Sequence, residues 1–291
     1  MHLYRSTKRR IVWTAILFIA SALSLALLII TKQTINAGAL WSIVHDRCLP
    51  GMEKDNNPSP CVSVDLSRGE SDGFVVLKDD TGNTQYLLIP TGKIAGIESS
   101  AILDPGSPNY FAEAWAATSL VNRKLHFTLP RTDFALAINS VSGRSQNQLH
   151  IHVDCIQPKI RLALTRIEPE IGAKWQTLPV NLARHVYRAM WLPGTDLGDR
   201  NPFQLLAESL HHPAQEMGRH TLVLVGDKRD GQDGFILLDS QAPYLAAAIA
   251  PWLKLGLGSG EELEDHKCHI ADNISSSGDP TRNVVDSRQI R

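Results

Sequence analysis

The sequence predicts an α+β fold, in which an antiparallel β-sheet with helices is preceded by a single N-terminal transmembrane helix. Two observations predict the sheet: β-rich runs come in pairs joined by short turns, and helical segments lie between the pairs. A third predicts the membrane helix, since residues 11–31 form one uncharged run. Hydrophobic residues make up 43% of the 291-residue chain and charged residues 20%, so most of the chain can bury a core.

The N-terminal run has the length of a membrane span. At about 1.5 Å per residue it would extend roughly 31 Å as a helix, about the thickness of a bilayer's hydrocarbon core. Four basic residues precede the run and Lys32 follows it, which places the N-terminus in the cytoplasm. We therefore expect a single-pass protein of the cell inner membrane with its main domain on the periplasmic side. A signal peptide cleaved near Ala37-Gly38-Ala39 is the alternative.

Charge and composition divide the chain into segments. The net charge is −1, which argues against a nucleic-acid partner because such proteins usually carry a basic excess. We assign an N-terminus and anchor, a linker with a Cys-containing loop, a main domain and a disordered tail (1–32, 33–72, 73–270 and 271–291). Whether a second α+β half begins near residue 160, and whether it forms a pseudo-dimer with the first, stays open.

All four cysteines lie after the predicted anchor. An even number of cysteines in an exported domain indicates disulfides, and four cysteines allow about three pairings. We favour Cys48–Cys61, which closes a short loop, together with Cys155–Cys268, which ties the tail to the body. Free thiols are the alternative. A zinc site at residues 265–269 lacks a second ligand pair at a recognised spacing.

Seven elements are predicted in the first half. They are a short helix, a loop, two strands of a β-hairpin with a Gly-containing turn, an amphipathic helix and two further strands (34–45, 56–67, 73–78 with 84–90, 108–126, 134–139 and 148–156). The helix at 108–126 has large apolar side chains available for one face. The strand at 148–156 alternates apolar and polar residues with period two.

The second half predicts four helices and three extended segments. The helices are at 160–167, 182–190, 201–210 and 244–255, and the extended segments are at 175–178, 221–226 and 234–239. Asn201 is the expected N-cap of its helix, with Pro202 at the first helical position. Residues 274–291 are rich in Ser, Asp and Arg with little to bury, which predicts disorder.

His150-Ile151-His152-Val153-Asp154 is the candidate chemical centre. On a strand, residues two apart point the same way, so His150, His152 and Asp154 should share one face. Two imidazoles side by side suit metal binding, acid–base catalysis or nucleophilic attack on phosphorus. By itself the pair is weak evidence, because two surface histidines without a function on a half-exposed strand would give the same sequence pattern.

Polar residues before this strand strengthen the interpretation. Asn139 ends the preceding strand, and Gln146 and Asn147 follow the turn at Gly143. Amide groups and turn N–H donors supply the hydrogen bonds that a phosphate needs. Arg144 in the same turn either pairs with phosphate or is solvated, and the sequence does not decide between the two.

This part of the sequence resembles a known family. Residues 139–152 are similar to the Asn…Gly…Gln…His-x-His pattern of the histidine-triad (HIT) superfamily, and the segment 86–90 resembles that superfamily's strand ending in Pro. From about residue 41 to 270 the chain resembles more closely the CDP-diacylglycerol pyrophosphatases, the membrane-anchored branch. The shared features include Cys48-Leu49-Pro50, the run His150–Cys155 and Asp265-His266-Lys267-Cys268.

The resemblance implies a HIT-like antiparallel sheet and hydrolysis of CDP-diacylglycerol, a liponucleotide partner held at the membrane, to CMP and phosphatidate. His152 would be the nucleophile and form a cytidylyl-histidine intermediate. The backbone carbonyl of His150 would hold the far nitrogen of that ring, and the His150 side chain would orient the site. Asn139, Gln146 and Asn147 would bind phosphate oxygens. No cofactor is expected; a role for a divalent metal and the oligomeric state are left open.

Asp154 departs from the superfamily pattern, which has a third histidine at this position. An ionised carboxylate would repel a pyrophosphate by about 4 kcal/mol at 4 Å with an effective dielectric near 20. At this position in the phosphate region, Asp154 must therefore turn away, be protonated, or pair with a base or metal ion.

Two other functions remain as alternatives. The chain could hydrolyse soluble nucleotides, as other members of the superfamily do. It could instead be a non-catalytic exported module that binds nucleotide or lipid, with Asp154 marking lost chemistry.

Overall fold

The computed structural model describes residues 37–243 and 258–272, together with five separate positions between residues 13 and 24. The described residues form one nine-stranded sheet in the order β1-β2-β3-β5-β4-β8-β9-β7-β6, with every neighbouring pair antiparallel. The strands are β1 Cys61–Asp65, β2 Phe74–Lys78, β3 Tyr86–Pro90, β4 Phe134–Ile138, β5 Ile151–Cys155, β6 Gln176–Thr177, β7 Arg188–Pro193, β8 His220–Arg229 and β9 Gln232–Gln241. The α+β class is therefore as predicted, and both halves of the chain contribute to a single sheet.

Seven α-helices accompany the sheet in the described residues. They are α1 Ala39–Ile43, α2 Leu49–Asp55, α3 Tyr110–Ala116, α4 Thr118–Leu125, α5 Pro158–Ile167, α6 Pro202–Glu208 and α7 Pro213–Glu216. A π-helical turn, Val44–Cys48, joins α1 to α2 without a break. A 3₁₀ turn, Gly260–Leu263, belongs to the C-terminal segment that reaches the site.

Strand alternation gives the sheet two different faces. Ile151 and Val153 of β5 join the main core, where α3, α4 and α5 pack. On the opposite face, Leu87 of β3 belongs to a smaller core built with the α1–α2 segment. His152 lies between its register partners Leu87 and Ala137, so it shares that second face.

The C-terminal segment 258–272 covers the next part of the second face. A Cβ atom on Gly260 would lie 3.4 Å from the Cβ of Ala137 and 2.9 Å from Cγ2 of Val223, so this turn sits against β4 and β8. Ala137 pairs with both His152 and Val223. The second face at β5 therefore lies between α1 and the C-terminal segment, which positions the site.

Several predicted elements are confirmed. β2 and β3 pair in full register as the predicted hairpin, and β8 pairs with β9 along ten residue pairs. The Asn201 side chain accepts a hydrogen bond from the backbone N–H of Phe203 at 3.0 Å, so it caps α6.

Other elements differ from the prediction. The helix expected at 182–190 is wrong, because Ala183 and Arg184 have positive φ angles of 45° and 72° and β7 pairs with β9 over six residues instead. The helix at 108–126 is divided at Ala117, and the loop at 56–67 contains the edge strand β1. The helix expected at 244–255 and the tail at 274–291 fall outside the described residues.

The predicted transmembrane helix and inner-membrane location are corrected by the structure. Within the described part of the chain, no helix combines the length and the apolar character that crossing a membrane requires. A span needs about 20 apolar residues, whereas the longest α-helix described, α5, has 10 residues. Apart from the five separate positions, residues 1–32 on which the prediction rested lie outside the described residues.

Candidate active site

His152 is the central residue of the site. It is 5% exposed, on β5, and lines a cavity of about 220 Å³. Gln85, Gln146, His150, Glu261 and His266 are among the other residues that line this cavity. These residues come from three separate stretches of sequence, around residue 85, at 146–152 and at 261–266, which converge on one buried imidazole.

His150 comes directly before β5 and lies beside His152, with 5.0 Å between the two ring centroids. Its Nδ1 atom is 2.7 Å from the backbone carbonyl oxygen of Gln148, which accepts the ring N–H. Burial, and secondarily the neighbouring His152, lower the pKa of His150 to about 4. This imidazole is therefore neutral at physiological pH.

Gln85 holds the far side of the His152 ring. Its side-chain amide lies 2.7 Å from Nδ1, and the contact is buried. The resemblance implied that the backbone carbonyl of His150 holds this nitrogen, but the structure places the Gln85 side chain there. The amide can present either its nitrogen or its oxygen to the ring, so it can favour either ring tautomer.

Glu261 covers the other nitrogen of His152. Its Oε2 atom lies 2.9 Å from Nε2. Burial acts to raise the pKa of Glu261, but the adjacent His152, with smaller contributions from His150 and His266, brings it down to about 2. An ionised carboxylate therefore occupies the position at which an anionic substrate would meet the imidazole.

Asp154 is buried and does not line the cavity. Its Oδ1 atom accepts hydrogen bonds from the Thr84 hydroxyl at 2.6 Å and the Cys155 backbone N–H at 2.8 Å. Its Oδ2 atom lies 3.0 Å from Nδ1 of His266, which does line the cavity. Of the options the sequence left open, the structure shows pairing with a base, and the imidazole of that base stands in the cavity.

The predicted phosphate-binding residues are divided between the cavity and its supports. Gln146 lines the cavity, and its Oε1 accepts from the backbone N–H of Leu40 at 3.3 Å. Asn139 is turned to the C-terminal segment, where its Oδ1 accepts from the backbone N–H groups of Gly260 and Glu261 at 2.8 and 3.4 Å. It therefore positions the turn that carries Glu261.

Arg144 and Asn147 lie together away from the cavity lining. Arg144 forms an ion pair with Glu98 and donates to Oδ1 of Asn147 at 3.3 Å. The Asn147 backbone N–H donates to the carbonyl of Ala37 at 2.7 Å. These contacts fix the turn that presents Gln146.

Two disulfides hold the two segments that flank the site, the α1–α2 segment and residues 258–272. Cys48 is bonded to Cys61, and Cys155 to Cys268, which are the pairings that the sequence analysis favoured. The first joins the α1–α2 segment to β1. The second joins the end of β5, next to Asp154, to the segment that carries His266.

Sequence reasoning missed Gln85, Glu261 and His266 as site residues. His266 had a signal, because it lies in the Asp265–Cys268 motif, but the sequence analysis considered it only as part of a zinc site at residues 265–269. Glu261 directly follows the Gly-rich residues 256–260, and Gln85 is the second residue of the predicted strand 84–90. Glu261 and His266 reach the site because residues 258–272, which lie far from β5 along the chain, run back across the sheet.

A larger cavity, of about 460 Å³, lies in the second half of the sheet. It contains a buried pair in which Nδ1 of His220 is 2.7 Å from Asp239. The other ring nitrogen of His220 is 3.2 Å from the side chain of Gln241. His220 is the one histidine among the described residues that line this larger cavity, whereas three histidines line the smaller one, so we take the cavity at His152 as the candidate site.

Comparisons with known proteins agree with the family resemblance seen in the sequence. The family described as CDP-diacylglycerol pyrophosphatase matches residues 35–272. A curated CDP-diacylglycerol pyrophosphatase from Yersinia pestis is 38% identical over 275 residues, which cover 93% of this chain and 98% of that protein. Among solved structures, a DUF4931 family protein from Bacillus cereus ATCC 10987 has a TM-score of 0.36 and 11% identity, over 74% of this chain and 96% of that chain. A likeness at that level does not bear on the chemistry.

Proposed function

The chain belongs to the CDP-diacylglycerol pyrophosphatase family, and we propose on this basis that it hydrolyses CDP-diacylglycerol to CMP and phosphatidate through a covalent intermediate on His152. The observation that carries the covalent step is the placement of His152. Its ring is buried, held through Nδ1, and directed through Nε2 to a cavity where an anion is already accommodated.

In the first step, Nε2 of His152 attacks the phosphorus on the cytidine side. A P–N bond forms, the P–O bond to the bridging oxygen breaks, and phosphatidate leaves with the electron pair. Attack requires a lone pair on Nε2, so Nδ1 must hold the ring proton. Gln85 supports this tautomer when its side-chain oxygen faces Nδ1, which a half-turn of the amide provides.

In the second step, water attacks the same phosphorus. A P–O bond to the water forms as the P–N bond breaks, the water releases one proton, CMP leaves, and the imidazole of His152 is restored with its proton count unchanged. Dividing one displacement into two steps is the usual advantage of covalent catalysis. Neutral His150 lies against the attacking ring without adding a second positive charge to it.

Glu261 must leave Nε2 before phosphorus can approach. Its carboxylate and the substrate diphosphate are both anions and compete for the same nitrogen. The position of the Glu261 carboxylate supports the assignment of this cavity as the diphosphate site. The histidines that line the cavity lower the pKa of Glu261 and so stabilise its negative charge.

The proposal is tested by substituting His152 with Asn, an amide that cannot form a phosphoramidate of this kind. CMP release from CDP-diacylglycerol in detergent micelles should fall by about 10⁴-fold or more, because the single-step alternative lacks the nucleophile. His220→Asn is the matched control, since it is a buried histidine on the same sheet outside this cavity. Undiminished CMP release from folded His152→Asn protein would refute the proposal.

Two further assay conditions define the substrate and the requirements of the reaction. Parallel assays with CDP-choline separate a preference for the liponucleotide from hydrolysis of soluble nucleotides. Assays with and without a chelator decide whether a divalent cation takes part. Tight binding of CDP-diacylglycerol without turnover would support the non-catalytic alternative.

A further inference from the structure

His266 has a defined orientation toward the cavity. Its Nδ1 atom is 3.0 Å from Oδ2 of Asp154, which directs the other ring nitrogen, Nε2, away from that carboxylate. The ring lines the same cavity as His152, and its side chain is 28% exposed. An imidazole with one nitrogen anchored and the other facing a substrate cavity is arranged to transfer or donate a proton.

The backbone around His266 is also fixed. Its carbonyl oxygen accepts a hydrogen bond from the backbone N–H of Asn83 at 2.7 Å. Gly82 packs directly against His266 with a φ of +68°, and a Cβ atom at that position would collide with the Cβ and carbonyl of His266. The disulfide from Cys268 to Cys155 restrains the same loop two residues further along.

The charges around His266 favour its protonated form. The hydrogen bond to Asp154 raises the pKa of His266, burial opposes this, and the carboxylates of Asp154, Glu261 and Asp79 add to the increase. His150 and His152 line the same cavity, and His150 is neutral. The surroundings of His266 therefore stabilise a positive charge on its imidazole, whereas those of His150 do not.

We infer that His266 is the catalytic acid for the first step and that Asp154 is its positioning residue. As the bond from phosphorus to the bridging oxygen breaks, Nε2–H of His266 donates its proton to that oxygen, and phosphatidate leaves as the protonated monoester. The neutral His266 can then accept a proton from the water that attacks the intermediate, which restores the starting state. This inference rests on the proposed hydrolysis at His152 and assigns the leaving-group proton to a residue from a different part of the chain.

The inference also explains how Asp154 is compatible with a polyanionic substrate. The carboxylate does not face the cavity, since Thr84, the Cys155 backbone and His266 engage its two oxygens. With His266 protonated, the pair presents an imidazolium to the diphosphate instead of a bare carboxylate. Their opposite charges cancel within the protein before the substrate arrives.

The test compares leaving groups that differ in their need for a proton. Purified protein is assayed on the p-nitrophenyl and phenyl esters of CMP, in which the nitrophenolate leaves without protonation and the phenolate leaves poorly. In His266→Gln, kcat on the phenyl ester should fall by about 10²-fold or more, with less than about tenfold loss on the nitrophenyl ester. Asp154→Asn should show the same selectivity with a smaller loss. His269→Gln, from the same segment but 58% exposed, is the control.

Three outcomes decide the inference. Selective loss on the phenyl ester supports it, together with a decline of kcat/KM at alkaline pH that occurs in wild type and not in His266→Gln. Equal losses on both esters at an unchanged Tm would indicate a structural role and overturn it, as would no loss on either. Activity on the nitrophenyl ester also reports folding of the variant, so a misfolded protein is recognised by loss on both esters together with a lowered Tm.

Failure of this inference differs from failure of the proposed function. If His152→Asn keeps full activity, the covalent step is refuted whatever His266 does. If His152 is required and the ester comparison shows no selectivity, only the role of His266 is refuted.

Discussion

Nε2 of His152 lies 2.9 Å from Oε2 of Glu261, so the nitrogen proposed to attack phosphorus is in contact with a carboxylate of the same chain. Glu261 is held there by the 3₁₀ turn Gly260–Leu263, whose first N–H groups are bonded to Asn139. The substrate must displace this carboxylate. Glu261 therefore sets part of the free-energy cost of substrate binding.

Replacing Glu261 with Gln should lower KM for CDP-diacylglycerol by about three- to tenfold, since removing an anion from the diphosphate site is worth on the order of 1 kcal/mol. We expect kcat to change by less than the KM does. Steady-state kinetics on both proteins measures the two parameters separately. Glu262→Gln is the control, because Glu262 pairs instead with His185 at 3.3 Å. A large fall in kcat at constant KM would show that Glu261 takes part in the chemistry instead.

Gln85 should be required for orienting the His152 ring. In Gln85→Leu the buried Nδ1 loses its partner, so we expect kcat to fall by about tenfold to a hundredfold. Gln85→Glu keeps an oxygen that can accept from Nδ1–H and should retain more activity than the Leu variant. Rates normalised to folded protein, with Tm as the check on folding, give the comparison. Equal activity in the wild type and the Leu variant would contradict this role.

His150 should make the folded state less stable in acid. Its pKa in the folded protein is lowered to about 4, whereas the unfolded chain binds the proton near the ordinary value of about 6.5. The stability contributed by neutral His150 is therefore complete above pH 6.5 and is lost as the pH falls towards 4, by about 3 kcal/mol in total.

Urea unfolding at several pH values measures this effect. The free energy of unfolding of His150→Asn should decline less between pH 6.5 and 4 than that of wild type. His211→Asn, at an exposed position, is the control and should decline as wild type does. The same slope in wild type and His150→Asn would contradict the assigned environment.

Glu264 should have the opposite pH dependence. Both of its carboxyl oxygens are buried and lack a hydrogen-bond partner among the described residues. Burial, with Asp154, Glu261 and Asp79 adding to it, raises the pKa of Glu264 well above its ordinary value. The folded state keeps the proton, so stability is lost as the pH rises above about 4.5, where the unfolded chain releases it.

Glu264→Gln removes this ionisation while keeping the shape of the side chain. The variant should lose less stability than wild type between pH 5 and 8, as measured by unfolding in urea. Glu216→Gln, on the short helix α7, provides a comparison outside the carboxylate cluster. If Glu264→Gln declined as steeply as wild type, Glu264 would not carry a buried proton.

The sequence predicted the parts of the site that lie close together along the chain. Period-two alternation placed His152 and Asp154 on one face of β5, and the amide-rich turn before it was expected near the histidines. It did not predict Glu261 and His266, because they contact residues of β5 that lie more than a hundred positions earlier in the chain. The helix expected at 182–190 failed for a similar reason: pairing with β9 outweighed a helical pattern in residues 188–190.

The central claim is that His152 carries the nucleotidyl group during turnover. The most direct measurement uses CDP-diacylglycerol labelled with ³²P in the cytidine-side phosphate, quenched in alkali during turnover, followed by peptide mapping of the denatured protein. We expect an alkali-stable, acid-labile label on His152, absent from His152→Asn and present in His220→Asn. No protein-bound label under conditions of rapid turnover, or a label on another residue, would contradict it.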